Sequence, residues 1–255
     1  MRLAYAPYNL KFKAPAGTSR GILNEKQTYL IKIWDESDPS RYGIGEASLF
    51  RGLSAEDNDR YEFKLVETLA NVALGIPTDL SRHSSIQFGL EQAIFDFSNG
   101  CKGIYFPSDF TAARQSITIN GLVWMGSFDE MIERKISQGF KCVKLKIGAI
   151  DFIKELEMVK HIRRHFDADT LEIRVDANGG FSMDNAIARL ARLAELDVHS
   201  IEQPIRQGHW DLMAFLCRVS PLDIALDEEL IGITDLGSKI EMLDTIRPKY
   251  IILKP

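Results

Sequence analysis

The chain has 255 residues, 45% hydrophobic and 26% charged, with a formal net charge of −5. That length buries a substantial core in one large domain or two, and interspersed charges of both signs offer no nucleic-acid surface. There is no signal peptide or membrane-length apolar run, and Cys101, Cys142 and Cys217 lack ligand spacing, so reduced thiols, a cytoplasmic location and no membrane partner are expected.

Residues 3–13, 27–34 and 42–49 have strand character, the middle run enriched in Thr28, Leu30, Ile31 and Ile33, with Gly43 and Gly45 loosening the last. Between the first two, residues 14–21 form a loop of small side chains with one cation, Arg20, which reads either as a plain connection or as a mobile cover over a site. A helix is predicted from Ser54, with Asp57 as a weak capping-box partner and Leu65, Leu69 and Val72 on its apolar face. A second runs from Ile86 to Asn99, with Leu90, Ile94 and Phe97 on one stripe and Gly100 as its stop. Strands followed by helices make residues 1–110 an α+β domain, ending in the irregular segment Tyr105 to Phe110.

From Ser116 strands and helices alternate. Strands are predicted at 116–120, 142–147, 171–175, 198–202, 222–227 and 250–254. The intervening helices span 127–139, opened by a capping box at Ser127, then 151–166, 182–196, 210–217 and 235–243. Six such units indicate a parallel α/β architecture. Polar residues at the strand tips suit a TIM-type (β/α) barrel better than a doubly wound sheet, which gathers its ligand at one switch point. Residues 111–255 are therefore read as six βα units of a modified TIM barrel. The lone pair Gly179 and Gly180 is no dinucleotide fingerprint, and no Walker motif occurs.

Three predicted strands end in acids: Asp176, Glu202 and Asp227, spaced by 26 and 25 residues, one repeating unit apart. Neighbouring strands lie ~4.8 Å apart, so the three carboxylates are expected within reach of one ion. Converging anions repel, and a divalent cation is the simplest remedy. Oxygen ligands without paired Cys or His favour Mg²⁺, with Mn²⁺ as a substitute, over Zn²⁺. In the second strand Val143 and Leu145 face the helices, which turns Lys144 and Lys146 to the barrel interior, and Lys254 ends the sixth strand in the same phase. Nearby cations favour the neutral, basic form of a lysine. A base beside a metal, with a cation opposite, suits removal of a proton alpha to a carboxylate. The expected partner is thus a small-molecule carboxylate. Of the histidines, His199 begins a strand and is read as structural, and His209 as packing or capping.

The ordered set Lys144-Leu145-Lys146, Asp176-Ala177-Asn178-Gly179, Ile201-Glu202-Gln203-Pro204, Asp227-Glu228-Glu229 and Lys254-Pro255 resembles the enolase superfamily in its muconate-lactonising branch. A Lys or His base with one or two Mg²⁺ ions is that superfamily's established arrangement. The resemblance implies Asp176, Glu202 and Asp227 as metal ligands, Asn178 as their support, Lys146 as base, Lys144 as its partner and Lys254 on the opposite face. It also implies a capping role for the first domain, with residues 14–21 closing over substrate. Within the branch the likeness is to the o-succinylbenzoate synthase family, in Ser200 to Pro204 and Ala225 to Glu229. That implies dehydration of 2-succinyl-6-hydroxy-2,4-cyclohexadiene-1-carboxylate. N-acylamino acid racemases and dipeptide epimerases also carry both lysines and are the alternative; a non-catalytic metal-binding barrel is the alternative of another class. The family barrel has eight strands and this chain carries six, so two more are expected beyond Pro255. Oligomeric state is left open.

Overall fold

The computed structural model describes residues 1–18, 21–123 and 128–254. Its contacts divide the chain into two units, residues 1–13 with 25–117, and residues 14–24 with 118–254. Among the described residues no helix is long and apolar enough to cross a membrane.

The N-terminal sheet has the order β1 (Arg2–Thr18), β2 (Gly21–Trp34), β3 (Tyr42–Ala47). Both long strands run into the segment read as a loop, and Arg20 lies outside the described residues. Two helices follow, α1 (Tyr61–Ala73) and α2 (Ser84–Ser98). The first starts later than Ser54, because Ser54 and Asp57 are engaged in a turn. The Ser54 hydroxyl accepts from the Phe50 N–H at 2.9 Å, and the Asp57 carboxylate accepts from the Gly52 N–H at 2.7 Å and from Arg51 at 2.6 Å.

Helix α2 lies directly across β3, and the two glycines of that strand are required for close approach rather than for loosening it. A Cβ on Gly45 would stand 1.8 Å from the Gly89 carbonyl oxygen, and one on Gly43 would stand 2.1 Å from that of Ala93. The helix therefore buries Gly89, Leu90 and Ala93, while Ile94, predicted on the apolar stripe, is 38% exposed. Side chains of α2 also satisfy the β3 backbone. Asp96 accepts from the Ile44 N–H at 3.0 Å and Gln92 from the Glu46 N–H at 2.9 Å, which closes an otherwise open strand edge.

The second unit holds a six-stranded parallel sheet: β4 (Gly121–Val123), β5 (Cys142–Lys146), β6 (Glu172–Asp176), β7 (Ser200–Glu202), β8 (Asp223–Leu226) and β9 (Tyr250–Ile251). Every strand neighbours the next in sequence, which excludes a doubly wound sheet and leaves a singly wound, partial TIM-type barrel. Right-handed crossovers place the connecting helices on one face. These are α3 (Phe128–Ser137), α4 (Phe152–His165), α5 (Met183–Ala194), α6 (Trp210–Val219) and α7 (Leu236–Ile246). The first strand is at 121–123 rather than 116–120. Ile117 and Ile119 are exposed, and pairing with β5 begins at Gly121 opposite Val143. Alternation alone marked the wrong stretch because a parallel strand exists only where a neighbour accepts it.

The core lies between the outer face of the sheet and the helices. Val143, Leu145, Ile173, Val175, Ile201 and Ile224 meet Leu156, Val159, Ala186, Leu190, Leu193 and Met213, all buried. Asp151 caps α4 by accepting from the Ile153 and Lys154 N–H groups at 3.1 and 3.3 Å. Arg163 on α4 donates to the carbonyls of Leu171, Leu196 and Asp197 at 2.7–2.9 Å and pins the base of β6 to the end of α5.

Replacing Gly45 by Ala should destabilise the protein by about 3 kcal/mol, since neither backbone can yield the missing space. Gly237→Ala, in α7, where the nearest atom to a new Cβ is Asp235 Oδ1 at 3.3 Å, should be neutral or stabilise by up to about 1 kcal/mol. Urea unfolding of the two variants measures both, and equal effects would contradict the packing described.

Candidate active site

Parallel register builds the site. Lys146 pairs with Asp176 across β5 and β6, and Asp176 pairs with Glu202 across β6 and β7. The three side chains thus stand in one row on the face away from the helices, at the C-terminal ends of the strands. Lys144, one layer below, pairs with Arg174, and Arg174 with Ser200. Asp227 follows β8 two residues after Ala225, which is opposite Glu202. Lys254 follows β9, which ends at Ile251 rather than running to 254.

The side chains neutralise one another. Lys144 Nζ is 2.6 Å from Glu202 Oε2 and 3.5 Å from Asp176 Oδ2. Lys146 pairs with Asp176 Oδ2 and lies 3.1 Å from Asn178 Oδ1, while Lys254 pairs with Asp227 Oδ2. Asn178 in turn donates through Nδ2 to Glu228 Oε1 at 3.0 Å, so one amide links the lysine of β5 to the acids after β8. Asp176 is fully buried, and Glu202, Asp227, Glu228 and Glu229 are nearly so.

Burial pushes the Asp176 carboxyl up, but Lys146 and Lys144 outweigh it and hold the group below its ordinary value. Glu202 goes the other way: burial first, then the charge of Asp176, raise it to about 8 despite Lys144. Burial pulls the Lys144 ammonium down, yet Glu202 and Asp176 raise it overall. Two carboxylates sharing one ammonium thus ionise unequally, as two close like charges must.

The sequence places all three acids and all three lysines on the same strand ends, and the structure brings them together as ion pairs. Among the described residues, however, no three Asp, Glu, His or Cys side chains gather closely enough to hold one ion between them. The expected convergence of Asp176, Glu202 and Asp227 is not met because each is turned onto an ammonium. The residues nonetheless fit a hard divalent cation in donor chemistry and in charge. All donors are carboxylate oxygens, and the buried acids outnumber the lysines, Glu228 being held by Asn178 and Glu229 by Gln203 and the Gly208 N–H. Sequence reasoning quoted Gln203, Glu228 and Glu229 within motifs without giving them roles; the structure buries all three behind the site. His199 stacks on Tyr250 at 5.5 Å, and His209 precedes α6 without a side-chain capping bond.

Lys144→Met should cost about 3 kcal/mol at pH 8, because it strands the buried Glu202 carboxylate beside Asp176, which keeps Lys146. Without the ammonium Glu202 titrates higher still in the folded state than unfolded, so the folded state binds more protons and stability falls as pH rises. Already in the wild type the raised Glu202 gives stability present below its ordinary value of 4.5 and lost toward pH 8. The variant's deficit should therefore shrink at pH 5, as urea unfolding at the two pH values would reveal.

The family model described as enolase C-terminal domain-like matches residues 127–249. An o-succinylbenzoate synthase of Desulfotalea psychrophila is 42% identical over 292 aligned residues, covering 100% of this chain and 78% of that protein. A hydrophobic dipeptide epimerase of Roseobacter litoralis is 24% identical over 98% of this chain and 75% of its own length. Among solved structures, MenC from Desulfotalea psychrophila LSv54 superposes with a TM-score of 0.86 at 38% identity, covering 100% of this chain and 78% of that one. The o-succinylbenzoate synthase of Thermosynechococcus elongatus BP-1, with Mg in its active site, superposes with a TM-score of 0.76 at 18% identity, covering 100% and 76%. With the row of lysines and acids at its strand ends, the chain belongs to the enolase superfamily, in the family of the o-succinylbenzoate synthase to which it is 42% identical along its whole length.

Proposed function

We propose that the protein is an o-succinylbenzoate synthase, a hydro-lyase that dehydrates 2-succinyl-6-hydroxy-2,4-cyclohexadiene-1-carboxylate. The observation that supports this most is the 42% identity over the whole chain to a protein of that activity, against 24% to a dipeptide epimerase. The carboxylates of Asp176, Glu202 and Asp227 would hold Mg²⁺, or Mn²⁺ in its place. When bound, the ion supplies a Lewis acid for the substrate carboxylate.

The remaining chemistry belongs to the side chains. Lys146 takes the proton alpha to the carboxylate, and the electron pair of that C–H bond becomes a ring double bond as the C–O bond to the hydroxyl breaks. The proton held on Lys146 then leaves with the hydroxide as water, and the ring becomes aromatic. Asn178, 3.1 Å from Lys146 Nζ, orients the amine. Lys144 adds positive charge beneath the site through its contacts to Glu202 and Asp176. Lys254 serves as a fixed cation on the opposite side.

Formation of the aromatic product, followed by ultraviolet absorbance, should require Mg²⁺, stop with chelator and resume with Mn²⁺. Lys146→Ala should lower turnover by at least ~10³-fold, the scale of a lost general base. Asp227→Ala should do so too, with slight recovery in excess Mg²⁺. Lys254→Arg should keep part of the activity if only charge is needed there, though the guanidinium differs in shape. Absence of a metal-dependent signal, together with efficient epimerisation of a dipeptide or an N-acyl amino acid, would reassign the reaction.

A further inference from the structure

One fully buried polar side chain behind the site has no part in the chemistry above. Gln203 follows Glu202, is 0% exposed, and has φ of +41°. That left-handed conformation is unusual for a residue other than glycine and persists only where the surroundings over-determine it.

The surroundings here are hydrogen bonds. Gln203 Oε1 accepts from the backbone N–H groups of Asp227 and Glu229, each at 3.2 Å. Its Nε2 donates to Glu229 Oε2 at 3.1 Å and to the Ile205 carbonyl at 3.0 Å. Two acceptor sites and two donors exhaust an amide. The main chain of the same residue donates to the Ala225 carbonyl at 2.9 Å and accepts from the Gly179 N–H at 2.7 Å. Glu229 is braced from its far side by the Gly208 N–H at 2.7 Å. One residue therefore joins the turn after β6, the end of β7 and the first residues after β8.

Asp227 has left the ladder, with φ −127° and ψ −76°. Its N–H bond to Gln203 sets the peptide plane from which the carboxylate departs. A carboxylate in place of the amide would lack both donors and face Glu229; a thioether would offer neither donors nor a strong acceptor.

We infer, resting on Asp227 as the metal ligand proposed above, that Gln203 is a positioning residue that sets how Asp227 is presented to the divalent ion. It touches neither substrate nor ion. Groups that orient a metal ligand typically change metal affinity or activity by about 10–100-fold when removed, whereas a residue that only fills the core would change stability alone.

The test uses the full chain and Mg²⁺ alone as the probe. In Gln203→Met, amide hydrogen exchange at Asp227 and Glu229 should quicken while the strand amides of β5 stay protected, and the Mg²⁺ dissociation constant from calorimetry should rise about 10–100-fold. Gln203→Glu should weaken Mg²⁺ as much or more. Adding Glu229→Gln to it restores a donor–acceptor pair between the two positions and should recover about tenfold or more of that affinity. Faster exchange with wild-type Mg²⁺ affinity in Gln203→Met would overturn the inference and leave the metal site standing. If Gln203→Met does not fold, the double variant decides, and no recovery of affinity over Gln203→Glu overturns it. A wild type that takes up no Mg²⁺ overturns the metal site itself, and the inference with it.

Discussion

The constraint on which the site depends is charge balance in a buried row. Asp176 and Glu202 are side by side on neighbouring strands, both nearly inaccessible to water, and Lys144 reaches the two of them from below. Two like charges ~4 Å apart interact by roughly 4 kcal/mol at the effective dielectric typical of proteins. The ammonium between them works against that repulsion and against burial, and offsets them only in part. The raised Glu202 and the lowered Asp176 are the residue of that competition. A set of groups kept near neutrality only by partners is one in which a cation or a substrate carboxylate has a large effect, and this is what the proposed chemistry uses.

Rigid backbone supplies the geometry. Register puts Lys146, Asp176 and Glu202 in one row, and a slip of one residue would turn Val175 and Ile201 inward instead. Just past the strand ends the chain becomes irregular: Asn178 and Gln203 both have positive φ, and the peptide after each strand is tied to the next strand's loop. The barrel strands are regular where they pack on helices and strained where they hold acids, and the hydrogen bonds of Asn178, Gln203 and Glu229 keep the strained part in one conformation.

The N-terminal unit solves a different problem by related means. Its outer strand β3 has α2 against it at backbone contact distance, which glycine alone permits, and the helix returns two side chains, Gln92 and Asp96, to the N–H groups of that strand. The close approach that the glycines permit lets Gln92 and Asp96 cover the open edge that such a small sheet would otherwise expose.

The sequence by itself determined the alternation of strands and helices from 142 onward, the face on which Lys144 and Lys146 stand, and the three acids at equal phase. These are local facts: side-chain periodicity of two, helix stop signals, and a constant repeat length. It did not determine where β4 begins, because Ser116 to Asn120 alternates as well as Gly121 to Val123 does, and only pairing with β5 separates them. It misplaced the start of α1, since Ser54 and Asp57 serve a turn as readily as a helix cap. Most of all, it did not show which ammonium each acid would face, or that Gln203 would bind the Asp227 and Glu229 backbone from 24 and 26 residues away. Those contacts join residues far apart in the chain, and distance across a folded barrel leaves no periodicity to read.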